Sequence, residues 1–356
     1  MKVFRSTWVR VAIVVLAAGG VVALLWWRGP AWSGIVDAFT AVEWNWVAAA
    51  VGLNLLSVLV RAVAWRTVIV QAIAPPYPSF PLVFSAFSVG LFANAVLPGR
   101  IGELARVAVL NRRMARRGIW ATLLGTVFAH RVFDFVAIIL LILYVALTAH
   151  IPNWAVTSLI AVVVAGVALF TIAVMGARYD RMPRVDEGLS AIRKAVRLAR
   201  YGLGVMRRPG PAVVAALFQV LGWTCQLFAV YTTMRAFGIN EALPAAGLVL
   251  VLMNVATLFP LWPGNIGLVQ AAVALPLFQY YGVAKANGIA FGFGLQAIEA
   301  SVGVSVGLLF LAREGLSVAM LRVMPDVGQA EVPDHADENE AMTETDDARQ
   351  HARVSG

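Results

Sequence analysis

The sequence predicts an all-α fold: a polytopic membrane helix bundle with two broken, re-entrant helical hairpins in an inverted repeat. Three observations carry that expectation. Apolar residues make up 60% of the 356-residue chain, charged residues only 13%, and the mean hydropathy is +0.80. A water-soluble fold runs nearer half apolar and a quarter charged, and could not cover this much apolar surface. The apolar residues fall in long blocks without alternation, which suits membrane helices and not a transmembrane barrel. Pro-Gly-x-Ile-Gly occurs twice, at 98–102 and at 263–267, each time ending an apolar block and opening a shorter apolar helix.

The elements follow in order. Val9–Trp27, flanked by Lys2, Arg5, Arg10 and Arg28, reads as an uncleaved first span, long for a signal-peptide core. The second block runs from about Trp44 to Val70. Trp44 and Trp46 suit an interface, and Arg61 and Arg66 fall where basic side chains can snorkel. Phe80–Leu97 runs into Pro98, Gly99 and Arg100, and a short helix then ends at the cluster Arg112, Arg113, Arg116, Arg117. Ala121–Thr148 and Trp154–Met175 are further spans. The basic stretch Arg178–Arg208 reads either as a surface-lying amphipathic helix or as a solvated loop. Ala212–Met234 is a span, and Ala245–Trp262 runs into the second Pro-Gly. Gly288–Leu311 is the last span. The total is six full spans and two hairpins.

Proline has no backbone N–H to donate and glycine tolerates left-handed dihedrals, so Pro98-Gly99 and Pro263-Gly264, with Gly102 and Gly267, are read as helix breaks. Freed amides in hydrocarbon cost several kcal/mol each, so such breaks are expected to face protein or a wet cavity. Basic residues cluster at 112–117 and 178–208; only Arg28, Arg235 and Lys285 remain for the other side. The positive-inside rule then puts both termini in the cytoplasm of a cell-membrane protein, and the two hairpins enter from opposite faces. That is the architecture in which secondary transporters build midplane sites.

Residues 1–312 form the membrane domain in this reading, and 313–356 an acidic, unstructured tail. Residues 326–356 hold nine acids and two arginines, leaving 26 basic and 10 acidic residues elsewhere. Basic residues beside apolar blocks point to anionic lipid headgroups as partners, not to nucleic acid. One cysteine and four scattered histidines offer no metal-ligand spacing, and no cofactor is expected.

Charged residues within apolar blocks are costly, so each needs a reason. Arg100, Glu103 and Arg106 recur every three residues and share one helix face; Arg131 and Asp134 are also three apart. Pairing of Glu103 with Arg106 and of Arg131 with Asp134 is one role. Arg100 sits in the break beside freed N–H groups, a setting that attracts phosphate, which a guanidinium meets bidentately. His130 reads as a packed histidine, Glu299 as bundle-facing without an evident partner, and Asn265 and Gln270 as lining of the second hairpin or helix–helix hydrogen bonds.

At these residues the chain resembles a known family. Asn94-Ala95-Val96-Leu97-Pro98-Gly99-Arg100-Ile101-Gly102-Glu103-Leu104-Ala105-Arg106 is similar to the first signature of the lysylphosphatidylglycerol synthase transmembrane region family, also called flippase-like domain or UPF0104-type integral membrane proteins. Arg131-Val132-Phe133-Asp134 resembles its Arg-x-x-Asp, with His130 where Glu is usual. Pro263-Gly264-Asn265-Ile266-Gly267 with Gln270-Ala271-Ala272 resembles its second signature, with Asn265 replacing Gly and Gln270 replacing Glu. The resemblance covers roughly residues 10–312. It implies handling or movement of a lipid with an anionic or sugar-bearing headgroup, with Asn94, Arg100, Glu103, Arg106, Arg131, Asp134, Asn265 and Gln270 as substrate-site candidates. Some members carry a soluble aminoacyl-transferase domain; none is seen after residue 312, so lysyl transfer is not expected and no catalytic residue is assigned. Two other functions remain open: a non-transporting scaffold for envelope synthesis with protein partners, and a polyprenyl-phosphate-dependent glycosyltransferase, for which clustered acids would be expected.

Overall fold

The structure is a computed structural model, and it describes residues 32–97, 101–114, 119–151, parts of 156–171, 209–257 and 265–313. The first apolar block, the basic stretch 178–208 and the acidic tail lie outside these residues, as do Pro98, Gly99, Arg100, Arg116, Arg117, Pro263 and Gly264.

Nine helices are named here: α1 (Trp32–Thr40), α2 (Trp44–Ala72), α3 (Phe80–Val96), α4 (Gly102–Met114), α5 (Trp120–Thr148), α6 (Pro209–Ala236), α7 (Leu243–Ala256), α8 (Leu268–Tyr281) and α9 (Lys285–Arg313). No strand occurs among the described residues. Four helices are long and apolar enough to cross a membrane: α2, α5 over Thr122–Thr148, α6 and α9, with 27 to 29 residues each. At 1.5 Å per residue they run about 40 Å, more than the ~30 Å hydrocarbon core. The fifth apolar block is described only in part, as the short apolar helix Leu159–Ala168.

The hairpin helices α3, α4, α7 and α8 have 17, 13, 14 and 14 residues, shorter than the ~20 usual for a span. The chain divides into two compact units. Unit 1 takes 1–58, 137–167 and 221–303, and unit 2 takes 59–136, 168–220 and 304–356. Each unit therefore holds parts of four long helices and one hairpin: α7–α8 in unit 1, α3–α4 in unit 2.

In unit 2, α3 and α4 meet backbone to backbone. A methyl group at Gly90 would lie 2.8 Å from the Gly102 carbonyl oxygen, and one at Gly102 would overlap the Gly90 carbonyl and the Asn94 side chain. Gly102 is thus required for close approach, and it stands as the first residue of α4 without a positive φ. On α9, Gly307 lets the Phe92 and Ser88 turn of α3 settle against it. This is the small-residue packing that membrane bundles use, since lipid gives helices no hydrophobic drive to associate. Val68, Ala129, Phe133 and Ala215 join α2, α5 and α6 in the unit's buried core.

In unit 1, the Ser57 hydroxyl donates to the Gly222 carbonyl at 2.8 Å, tying α2 to α6. Gly288 and Gly292 of α9 pack on Ala274 and Gln270 of α8. Helix α7 ends at Ala256, six residues before the Trp262 end expected from the apolar run. Thr257 caps that end, its N–H donating to the Met253 carbonyl. Two elements depart further from expectation. Helix α1 was not foreseen, and Arg61 lies inside the described protein instead of reaching for an interface.

Gly102→Ala should destabilise the protein by about 1–3 kcal/mol through overpacking. Melting of the purified protein in detergent reads it; an unchanged transition would mean α3 and α4 can separate freely.

Candidate functional site

The candidate site lies at the foot of the α3–α4 hairpin in unit 2. The break begins at Leu97, whose extended backbone donates its N–H to Ala93. The chain resumes as helix at Gly102, whose N–H donates to the Asn94 side-chain oxygen at 2.8 Å. Asn94 thus satisfies one of the orphan donors that open α4. Its place here is a brace, and it also lines the cavity described next.

That cavity measures about 70 Å³ and is bounded by residues of α2, α3, α4 and α5. Its charged residues are Arg61, Glu103, Arg106, Arg131 and Asp134: three guanidinium groups against two carboxylates, one positive charge in excess with His130 counted neutral. The charges are chained. Glu103 pairs with both Arg106 and Arg131. Arg131 also pairs with Asp134 at 3.0 Å, Asp134 pairs with Arg61 at 2.7 Å, and the Gln219 amide donates to Asp134. Within this chain the sequence pairs Glu103–Arg106 and Arg131–Asp134 are brought together, and Arg131 links them.

Each guanidinium has a different setting. Arg106 is 4% exposed, with its charge 4.7 Å from the Trp65 ring centre and 5.5 Å from that of Phe87. Cation–π contact and the Glu103 pair hold it in place. Trp65 is held in turn through its N–H to the Thr126 hydroxyl at 3.1 Å. Arg131 differs: its side chain is 49% exposed. It is the most exposed of the cavity's three guanidinium groups. His130 is buried edge-on to Phe87, 5.9 Å between rings.

Two buried polar atoms at the cavity, His130 Nδ1 and Arg106 Nε, have no hydrogen-bond partner among the described residues. Leaving such an atom unpaired costs about 1–3 kcal/mol, so the cavity favours a polar occupant. Seventy cubic ångströms admits a small group such as one phosphate, or about two waters at ~30 Å³ each. Among the described residues no group of three or more His, Cys, Asp or Glu side chains is arranged to hold a metal ion.

The second hairpin's candidates belong to unit 1 and do not line this cavity. Asn265, at φ 45°, donates its amide to the Ala256 carbonyl at 2.8 Å and so satisfies the exposed end of α7. Gln270 accepts the Gly267 N–H at 2.6 Å and donates to Gln296 at 2.7 Å. Gly267 itself sits at φ 92°, where a side chain is strained. Glu299 accepts from the Gln226 amide at 2.7 Å. Arg100 lies outside the described residues, next in sequence to Ile101.

Sequence reasoning missed Arg61, Trp65 and Gln219. Arg61 carried a signal: it stands 11 residues before the end of α2, about 16 Å along the axis, deep for a snorkelling side chain. Gln219 carried the signal of a polar side chain within an apolar block, and Trp65 carried none.

Long apolar helices, two hairpins of shorter helices and a buried ion-pair chain define a multi-pass helical membrane protein. It belongs to the lysylphosphatidylglycerol synthase transmembrane region family, whose model matches residues 7–316. A curated relative, the UPF0104 membrane protein PH1989 of Pyrococcus horikoshii, is 25% identical over 142 residues, covering 39% of this chain and 41% of the relative. The match therefore spans about two fifths of that relative's length. No solved structure matches the chain.

Asp134→Asn should cost about 3 kcal/mol of stability, the lower end for a broken buried pair because Arg131 is half-exposed. Arg61→Leu/Asp134→Leu should be the more stable of the two variants, since no charge is stranded. Melting of both in one detergent decides it; equal losses would mean the Arg61 pair contributes nothing.

Proposed function

We propose that this chain moves an anionic or polyprenyl-linked lipid between the leaflets of a cell membrane, as a flippase-like transporter. The observation that carries the reading is the excess positive charge at the foot of a broken hairpin, in a cavity with unpaired buried polar atoms. A headgroup phosphate entering there would meet Arg131 at the accessible side and the unpartnered Arg106 Nε–H behind it. In this reading Arg131 captures the anion, Arg100 adds a second guanidinium at the break, and Arg106 and Glu103 hold the helix behind them. Membership of a family described by a lipid-synthase membrane region supports the substrate class. The basic clusters support cytoplasmic termini and, with the repeated Pro-Gly motif, hairpins entering from opposite faces.

The test is leaflet translocation of labelled phosphatidylglycerol and of a polyprenyl phosphate in liposomes holding the purified protein. Transport per folded molecule should fall about tenfold or more in Arg131→Gln and Arg100→Ala, as expected for a lost charge-assisted hydrogen bond of about 1.5–3 kcal/mol. Arg100→Lys should fall less than Arg100→Ala. Lipid bound but never translocated would replace this reading with an envelope scaffold. For topology, a cysteine placed near position 337, with Cys225 replaced, should resist an impermeant reagent added outside intact cells; labelling there would reverse the orientation.

A further inference from the structure

Unit 2 holds a second cavity that shares no residue with the first. It measures about 310 Å³ and is lined by Ser79, Pro81, Leu82, Ser85, Arg113, Phe310 and Arg313. The start of α3 meets there the last described turns of α4 and α9. Two guanidinium groups line it and, among the described residues, no acid does. The α3 end adds positive character: Ser79 stands at its N-cap, its hydroxyl makes no capping bond, and first-turn amides have no partner within the helix. The opposite wall is apolar, formed by Pro81, Leu82 and Phe310, with Phe310 packed edge-on to Phe84 at 5.4 Å.

We propose that this cavity is a second anion site, which holds the phosphate of a membrane phospholipid against Arg113, Arg313 and Ser79 while Pro81, Leu82 and Phe310 cover its glycerol and first acyl carbons. The volume sits at the low end for ligand pockets and suits a headgroup, not a whole lipid. A soluble phosphate ester would gain from the arginines alone; a lipid gains from the apolar wall as well. Basic pockets between membrane helices on the cytoplasmic side are where anionic headgroups collect. The acidic segment 326–356 starts 13 residues beyond Arg313 and is the rival occupant. This site stands whether or not the chain moves lipid, because its test reads binding and not transport.

Purified full-length protein is equilibrated with mixed phosphatidylglycerol–phosphatidylcholine micelles, and the lipid it retains is measured by mass spectrometry. Phosphatidylglycerol should be retained preferentially. Arg113→Gln/Arg313→Gln should reduce that retention about ten- to thirty-fold, at about 1 kcal/mol per basic residue near a lipid surface. Arg113→Lys/Arg313→Lys should keep most of it. Ser79→Asp provides the control for folding: aspartate is a good N-cap and suits a helix start, so stability should hold while retention falls. Retention unchanged in Ser79→Asp and in the glutamine pair overturns the site, as does displacement of the lipid by inorganic phosphate. Retention that rises several-fold when the chain is cut after Met324 assigns the cavity to the acidic segment instead.

Discussion

The whole arrangement depends on where broken backbone finds its hydrogen bonds. A helix that stops inside hydrocarbon exposes donors and acceptors that lipid cannot satisfy. In the described residues the answer is the same at each break: a short amide side chain reaches across it. Asn94 takes the first N–H of α4, Gln270 takes the Gly267 N–H before α8, and Asn265 serves the last turn of α7. The glycines that accompany these amides let the returning helix lie close enough for such short side chains to reach.

The ion-pair chain of unit 2 solves a second problem created by the first. A hairpin of short helices must be anchored sideways to longer ones. Glu103 is the contact point on the hairpin, and Arg131 on α5 is its partner. Asp134 then gathers Arg131, Arg61 and Gln219 around one carboxylate. Burial is graded along the chain, from Arg106 under Trp65 and Phe87 to Arg131 half in the open. Fixed charge lies at the back and accessible charge at the front, an order that suits capture of an anion followed by its retention.

Much of this was legible in the sequence, and the reasons are physical. The ends of α2, α5, α6 and α9 lie close to those of the apolar blocks, because a spanning helix is apolar for as long as it is in contact with lipid or core. Residues three apart on a helix share a face, so the Glu103–Arg106 and Arg131–Asp134 pairs could be read directly. The partners from distant helices could not. Arg61 is 73 residues from Asp134 and Gln219 is 85, and nothing local marks either as its neighbour. Asn94, Asn265 and Gln270 were noticed for the right reason, their polarity in an apolar setting, but their visible bonds go to the protein's own backbone and to Gln296. The early end of α7 was hidden by the apolar run to Trp262.

The α3–α4 contact also has a mechanical meaning. With Gly90 and Gly102 in backbone contact and Asn94 bonded across the turn, neither helix can slide along the other without breaking a hydrogen bond and closing a steric gap that does not exist. Tilting the pair together leaves both contacts intact. The hairpin is therefore stiff in shear and holds together as one lever, tied to α5 by the Glu103–Arg131 ion pair and by the Phe87–His130 ring contact. The ionic tie can be exchanged for another anion at little cost in geometry, whereas the ring contact would have to be pulled apart.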